Sequence, residues 1–390
     1  MAATNRPKGG SGVNIVFIVY KTGKGGAERV TVTLAEYLSR RGHQVGILCY
    51  KPDGAYPVYP RVKVLCLPDS GNFFLRHLKR WKAYCAYCKA NRVQVTAALH
   101  RGYDYTWLYR KFFGGKLILS QRIDPKAEYR GRPWLYLQCR TFFSGADAVV
   151  FQTEEEKQYF PKGIQRKGFL IPNPVRQDLP APHCGERRKV IVNFCRLESQ
   201  KNLNLLIDAF SEVSKEEKAF ELHIYGDGPE KKQLMERAAA LPCSERIRIF
   251  PFAPDIHERI KDAFMFVSSS DYEGISNSML EAMALGLPCI CTDCPAGGAR
   301  LVIRNGENGL LVPVENRKKL TEAMLRLIKN PEYAERLGTQ AEKVRTAFTS
   351  EKICRKWELL MEQTVFGKKR QKRTACQGRQ KHENFSGGSR

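Results

Sequence analysis

The chain has 390 residues, 43% of them apolar, and carries 65 Lys and Arg against 40 Asp and Glu, a formal net charge of +25. This length and apolar content suit two α/β domains better than one core. No apolar run approaches the roughly 20 residues of a membrane-spanning helix, and the thirteen cysteines are scattered as reduced cytosolic thiols are, without the spacing of a disulfide framework.

The elements alternate between β and α in chain order. Val13–Tyr20, Val45–Tyr50, Val62–Leu67, Val95–Leu99, Lys116–Ser120 and Ala148–Phe151 read as strands separated by helical stretches, a Rossmann-like half. The first of them leads into a glycine loop rather than a cleavage site, so it is read as a strand and not as a leader. The turn-rich stretch Ile171-Pro-Asn-Pro-Val175 and Pro180-Ala-Pro-His-Cys-Gly185 breaks the alternation and reads as a linker. A second half follows, with strands at Val190–Phe194, Glu221–Tyr225, Ile247–Phe250, Met265–Ser268 and Cys289–Cys291 and helices at Leu203–Ser214, Glu230–Ala240 and Asn277–Leu285. A last helix is expected around Ser350 to Phe366.

Charge divides these halves sharply. Residues 1–172 hold 29 Lys and Arg against 11 Asp and Glu, whereas residues 173–350 hold 25 of each and the last forty hold 11 against 4. A basic first half implies an anionic partner. Between Phe73 and Arg92, six cations (Arg76, Lys79, Arg80, Lys82, Lys89, Arg92) share a stretch with Phe73, Phe74, Leu75, Trp81, Tyr84 and Tyr87 and no acidic residue, the composition of a helix lying on an anionic membrane surface. The run Lys368-Lys-Arg-Gln-Lys-Arg373 could pass for a nucleic-acid patch, but no nucleic-acid module accompanies it, and the polar tail 367–390 is expected to be disordered and to add electrostatic attraction to lipid headgroups. No structural metal is expected, because Cys85-x-x-Cys88 lacks a second pair and Cys289, Cys291 and Cys294 have no His at ligand spacing.

Two glutamates concentrate the chemistry. Glu273 and Glu281 bracket the start of the Asn277–Leu285 helix, eight positions apart, with Ser276 or Asn277 as its N-cap and Gly286-Leu-Pro288 as its stop. Glu273 precedes a helix N-terminus whose free N–H groups attract phosphate, a layout that suits a nucleotide-sugar diphosphate. The loop Tyr20-Lys-Thr-Gly-Lys-Gly-Gly-Ala-Glu-Arg-Val30 could also cradle phosphate. It does not fit a dinucleotide fingerprint, because Glu28 falls where the third glycine must pack, and no Gly-Lys-Ser/Thr follows.

Around this pair the sequence resembles the retaining glycosyltransferases of family 4, whose signature is Glu, seven residues, then Glu-Ala-Met-Ala-x-Gly. Asn193-Phe-Cys-Arg-Leu-Glu-Ser-Gln-Lys-Asn-Leu203, Ile224-Tyr-Gly-Asp-Gly-Pro-Glu230, Asn305-Gly-Glu-Asn-Gly-Leu-Leu-Val-Pro313 and the Gly25-Gly26-Ala-Glu-Arg segment extend the likeness. It implies a GT-B fold, two Rossmann-like domains facing across a cleft: an acceptor-side domain at 1–172, a linker at 173–188, a donor-binding domain at 189–350 and a helix at 351–366 returning toward the first domain. It further implies that Arg196 and Lys201 clamp the departing diphosphate, that Glu273 faces the donor sugar, and that Glu281 binds the ribose hydroxyls. Gly274, Ile275, Ser276 and Asn277, with Gly25 and Gly26, would line the donor cleft, and His100 and Arg101 would contact the donor sugar; no cofactor or metal is then required.

Ser120-Gln-Arg-Ile-Asp-Pro125, Ala146-Asp-Ala-Val-Val-Phe-Gln-Thr153 and Ile171-Pro-Asn-Pro174 look like bacterial members that transfer a hexose or N-acetylhexosamine from a UDP donor to a polyprenyl-diphosphate-linked glycan. That resemblance places the protein in the cytoplasm, peripheral on the inner face of the membrane. Cys195 where the family has glycine, Ser276 and Ser278, and Ala296-Gly297-Gly298 without its usual proline depart from the pattern and leave the donor sugar open. A nucleotide-sugar epimerase and a non-catalytic membrane-associated binding protein are the alternatives. The first needs acid and base groups on both faces of the sugar, and the second has no need of Glu273, Arg196 and Lys201 together.

Overall fold

The computed structural model describes residues 12–23, 25–51, 57–99 and 102–367. The expectations for the basic tail, for His100 and for Arg101 lie outside the described residues, apart from Gly367. Two all-parallel sheets form the frame. The first contains β1 (Asn14–Lys21), β2 (Gln44–Lys51), β3 (Lys63–Cys66), β4 (Val95–Leu99), β5 (Lys116–Ser120), β6 (Ala148–Phe151) and β7 (Gly168–Leu170), in the order β3-β2-β1-β4-β5-β6-β7. The second contains β8 (Arg188–Phe194), β9 (Glu221–Tyr225), β10 (Ile247–Phe250), β11 (Ala263–Ser268), β12 (Cys289–Thr292) and β13 (Leu310–Val312), in the order β10-β9-β8-β11-β12-β13.

Parallel strands need a crossover between each pair, and the crossovers cover both faces of the sheet. Central strands therefore read as continuous apolar runs. In β1, Ile15, Phe17 and Val19 enter one core with Val30, Leu34 and Leu38 of helix α1 (Gly26–Arg40), whereas Val16 and Ile18 enter the opposite core with Tyr84 of α2 (Phe73–Ala90) and Tyr105 of α3 (Tyr103–Phe113).

The C-terminal helix Ser350–Phe366 completes the first sheet's core rather than the second's. Its Ile353, Trp357, Leu360 and Met361 are buried beside Phe17, Leu34 and Leu38. Polar groups lock the same contact. Glu358 receives Arg355 Nη1 at 2.6 Å, His43 Nε2 at 3.1 Å and Arg41 Nε at 3.3 Å. Glu362 lies close enough to His43 and Glu358 to suggest a metal-binding cluster. However, His43 Nδ1 accepts the Val13 N–H at 3.1 Å, so Nε2 is the ring nitrogen that donates to Glu358, and the cluster is an ion-pair network.

Two strands, β7 and β13, go beyond the sequence reading, and the start of β8 lies at Arg188, ahead of the expected Val190. Each of the two added strands has three residues, too short to show a period. Among the described residues no helix is long and apolar enough to cross a membrane.

Candidate active site

In an open parallel sheet, ligands bind beyond the strand C-termini where the strand order reverses. In the second sheet that point lies between β8 and β11, so the loop after β8, 195–202, meets the loop after β11, 269–276. Hydrogen bonds stitch the two together. Ser269 Oγ donates to the Asn202 carbonyl at 2.9 Å, Asn202 Nδ2 to Asp271 Oδ1 at 2.7 Å, and Gln200 Nε2 to the Tyr272 carbonyl at 2.8 Å and Glu273 Oε2 at 3.2 Å.

Lys201 Nζ forms an ion pair with Glu273 Oε1, and Ser270 Oγ adds a 3.3 Å hydrogen bond to that oxygen. Burial alone would lower the Lys201 pKa, but the Glu273 charge, Cys195 and the hydrogen bond to Glu273 together outweigh it and hold the ammonium above its usual value. Glu273 opens onto a small recess shared with Ser268, Ser270, Ser276, Thr292 and Cys294. Arg196 behaves differently from Lys201. Its side chain is 61% exposed and pairs with Glu198 at 2.9 Å. Cys195, at the departure from glycine, has its thiol pushed up to about 12 by burial.

Ser276 caps the Asn277–Ala284 helix, its Oγ accepting the Met279 N–H at 3.4 Å. One turn in, Glu281 is buried with both oxygens engaged. Arg29 Nη1 of α1 reaches Oε1 at 3.1 Å and His257 Nε2 reaches Oε2 at 2.8 Å. Burial alone would raise the Glu281 carboxyl, but the Arg29 charge and the His257 hydrogen bond hold it below the usual carboxylate range.

The first sheet's loops clamp this loop from the other side. Ile275 N–H donates to Gln152 Oε1 at 3.0 Å, and its carbonyl accepts Asn173 Nδ2 at 2.9 Å. Of the residues that the resemblance places along the donor cleft, Ile275 thus has its amide engaged by Gln152. The clamp leaves no room for side chains. A Cβ on Gly274 would overlap Gln152 Oε1 and stand 2.9 Å from the Arg122 carbonyl, while one on Gly298 would overlap the Gly274 carbonyl. Gly25 and Gly26 begin α1 at the first sheet's own reversal, between β1 and β4. Behind the clamp, burial pushes the Glu156 carboxyl up to about 8 and the Arg122 guanidinium down to about 10.

The structure therefore brings Glu273, Lys201, Glu281, Gly274 to Asn277, Gly25 and Gly26 to one seam between the sheets, with Arg196 on its rim. Arg29, His257, Gln152, Asn173 and Gln200 join them without having been singled out in the sequence. Arg29, Gln152, Asn173 and Gln200 lie inside segments that carried the resemblance, which was the available signal; His257 had no comparable one.

The match to known proteins falls on these residues. Glycosyltransferase Family 4 matches residues 24–179 and Glycosyl transferases group 1 matches residues 176–344, stretches that overlap slightly and together take in most of the chain. The protein belongs to this glycosyltransferase family, and its fold is GT-B. An uncharacterized glycosyltransferase of Methanocaldococcus jannaschii is 26% identical over 295 residues, 64% of this chain and 72% of that one. The N-acetylgalactosamine-N,N'-diacetylbacillosaminyl-diphospho-undecaprenol 4-alpha-N-acetylgalactosaminyltransferase of Campylobacter jejuni is 24% identical over 86% of this chain and 96% of that one. Several other curated relatives are matched over only 24% to 60% of their own length. Among solved structures, Anabaena HepE in complex with UDP and glucose superimposes with a TM-score of 0.77 at 16% identity, over 90% of this chain and 99% of that one.

Proposed function

We propose that the protein transfers a hexose or N-acetylhexosamine from a UDP-linked donor to a glycan carried on a polyprenyl diphosphate, with retention of anomeric configuration and without a metal ion. The observation that carries this reading is the Lys201–Glu273 pair beside the N-terminus of the Asn277–Ala284 helix, facing the start of α1 across the seam. The UDP and glucose bound to HepE support the donor, and the undecaprenol-linked acceptor for which the Campylobacter relative is named supports the acceptor class.

In this reading the diphosphate sits against the amides of Gly274, Ser276 and Asn277, with Lys201 and Arg196 on its oxygens. Those charges act most strongly as the anomeric C–O bond breaks, because negative charge then gathers on the leaving phosphate. Glu273, kept next to Lys201, steadies the positive charge developing on the sugar. The acceptor oxygen bonds to the anomeric carbon on the face the diphosphate leaves, and the acceptor's proton passes to the departing phosphate oxygen. Lys201, Arg196 and the helix N-terminus supply the positive charge that a divalent cation provides in other enzymes.

The anionic partner of the first half is, in the same reading, a membrane surface. Phe73, Phe74 and Leu75 at the start of α2, Phe112 and Phe113 at the end of α3, and Trp134 on the helix Pro133–Gly145 are exposed, Phe74 at 75%. These helices pack in sequence, α2 on α3 and α3 on Pro133–Gly145. Basic side chains accompany the exposed rings, as lipid headgroups require. A thermal-shift panel of UDP, GDP and ADP and then UDP-linked glucose, galactose, GlcNAc and GalNAc tests the donor. Stabilisation by one uridine nucleotide series supports the proposal, and no shift with any nucleotide overturns it.

A further inference from the structure

The first turns of α1 and of the Asn277–Ala284 helix meet face to face across the seam. A Cβ on Gly26 would stand 2.7 Å from Asn277 Nδ2, and one turn further along, Arg29 Nη1 lies 3.1 Å from Glu281 Oε1. Gly26 and Arg29 are three apart, and Asn277 and Glu281 four apart, so each pair shares one helix face. Arg29 is more than nine-tenths buried, yet its Nη2 has no hydrogen-bond partner, and Asn277 Oδ1 is likewise buried and unpartnered. Buried polar atoms are normally paired, so a free donor and a free acceptor in one seam mark a place that a ligand's hydroxyls can complete. Glu281 keeps acceptor capacity, because each carboxylate oxygen takes about two hydrogen bonds and each is shown with one protein partner.

A vicinal diol has the matching valence. Each hydroxyl donates one hydrogen bond and accepts others. We infer that Arg29 is a positioning residue for the donor nucleotide, its Nη2 and Asn277 Oδ1 completing, together with Glu281, the hydrogen bonds of the ribose diol. Because Arg29 comes from the first sheet's side and Glu281 from the second's, seating the diol and holding the two sides together are one event. The inference rests on the UDP-donor reading and adds a cross-seam residue to it.

Binding of UDP and of 2′-deoxy-UDP by calorimetry, with the full chain as wild type, Arg29→Lys and Arg29→Gln, tests it. Small-angle scattering with and without UDP accompanies the titrations. The wild type is expected to prefer UDP by about tenfold and to compact when UDP is added. Arg29→Gln is expected to lose about tenfold in UDP affinity, to bind 2′-deoxy-UDP nearly as the wild type does and to lose the compaction, with Arg29→Lys between the two. A purely structural role would lower the melting temperature without changing the preference between the nucleotides. An Arg29→Gln protein that is folded, retains the preference and compacts normally overturns the inference. A wild type that binds UDP without preferring it over the deoxy form also overturns it, while the donor reading stands. Failure of the wild type to bind UDP at all removes the donor reading and the inference together.

Discussion

Replacing Glu358 by Gln removes one charge from a buried network while keeping nearly the same shape. Burial would raise the Glu358 carboxyl, but the hydrogen bond from His43 and the charges of Arg355 and Arg41 outweigh it and hold the carboxyl at about 2, against an ordinary 4.5. At 1.36 kcal/mol per unit the gap corresponds to about 3 kcal/mol of folding free energy at neutral pH. Arg41 and Arg355 are 40% and 35% exposed, so solvent screening trims the contribution to about 2 kcal/mol. The folded-state pKa lies below the unfolded one, so this stability is present above about 4.5 and is lost as pH falls through the folded value. Melting followed by circular dichroism at several pH values reads it. At pH 7 the variant's transition for the first sheet's domain should fall by about 4–8 °C, and more than half of the free-energy difference from the wild type should be gone by pH 3. A difference that stays constant from pH 7 to pH 3, or no difference at pH 7, would refute the assigned role of Glu358.

Gly274→Ala drives a methyl group into Gln152 Oε1 and the Arg122 carbonyl, so it should cost about 1–3 kcal/mol and lower kcat, measured by denaturant melts and by release of UDP. Lys201→Ala should lower kcat by about 100-fold or more, and Arg196→Ala, whose side chain is exposed, should lower it less; equal losses would argue against the difference in their placement. Transfer should survive EDTA, with complete loss restored by magnesium as the contrary result. Phe73→Ser with Phe74→Ser should weaken flotation with vesicles containing anionic lipid and leave turnover on a soluble acceptor unchanged; undiminished flotation would move the membrane face elsewhere.

The parallel α/β frame was legible because strands covered on both faces carry short, mostly apolar runs. Val95–Leu99, Lys116–Ser120, Ala148–Phe151, Glu221–Tyr225 and Ile247–Phe250 fall where their sequence puts them. In the site, Glu273, Lys201 and Glu281 were legible because each lies in a short segment of local chemistry. His257 was not, since what makes it part of the seam is Glu281, 24 positions away across the fold; Gln152 lay within a segment that carried the resemblance, but its partner Ile275, 123 positions away, was not visible there. The aromatic and basic run of α2 was visible, but not its division. Tyr84, Cys85 and Cys88 turn into the core while Phe73 and Phe74 stay outside, a split along the helix axis that composition does not register.

Product stereochemistry tests the central claim most directly. The protein would be incubated with the stabilising UDP-α-sugar and a polyprenyl-diphosphate-linked oligosaccharide, and the new linkage assigned by proton NMR at the anomeric carbon. An α linkage formed with release of UDP is the predicted result. A β linkage would contradict the same-face mechanism, and release of an epimerised nucleotide sugar without transfer would contradict the glycosyltransferase reading itself.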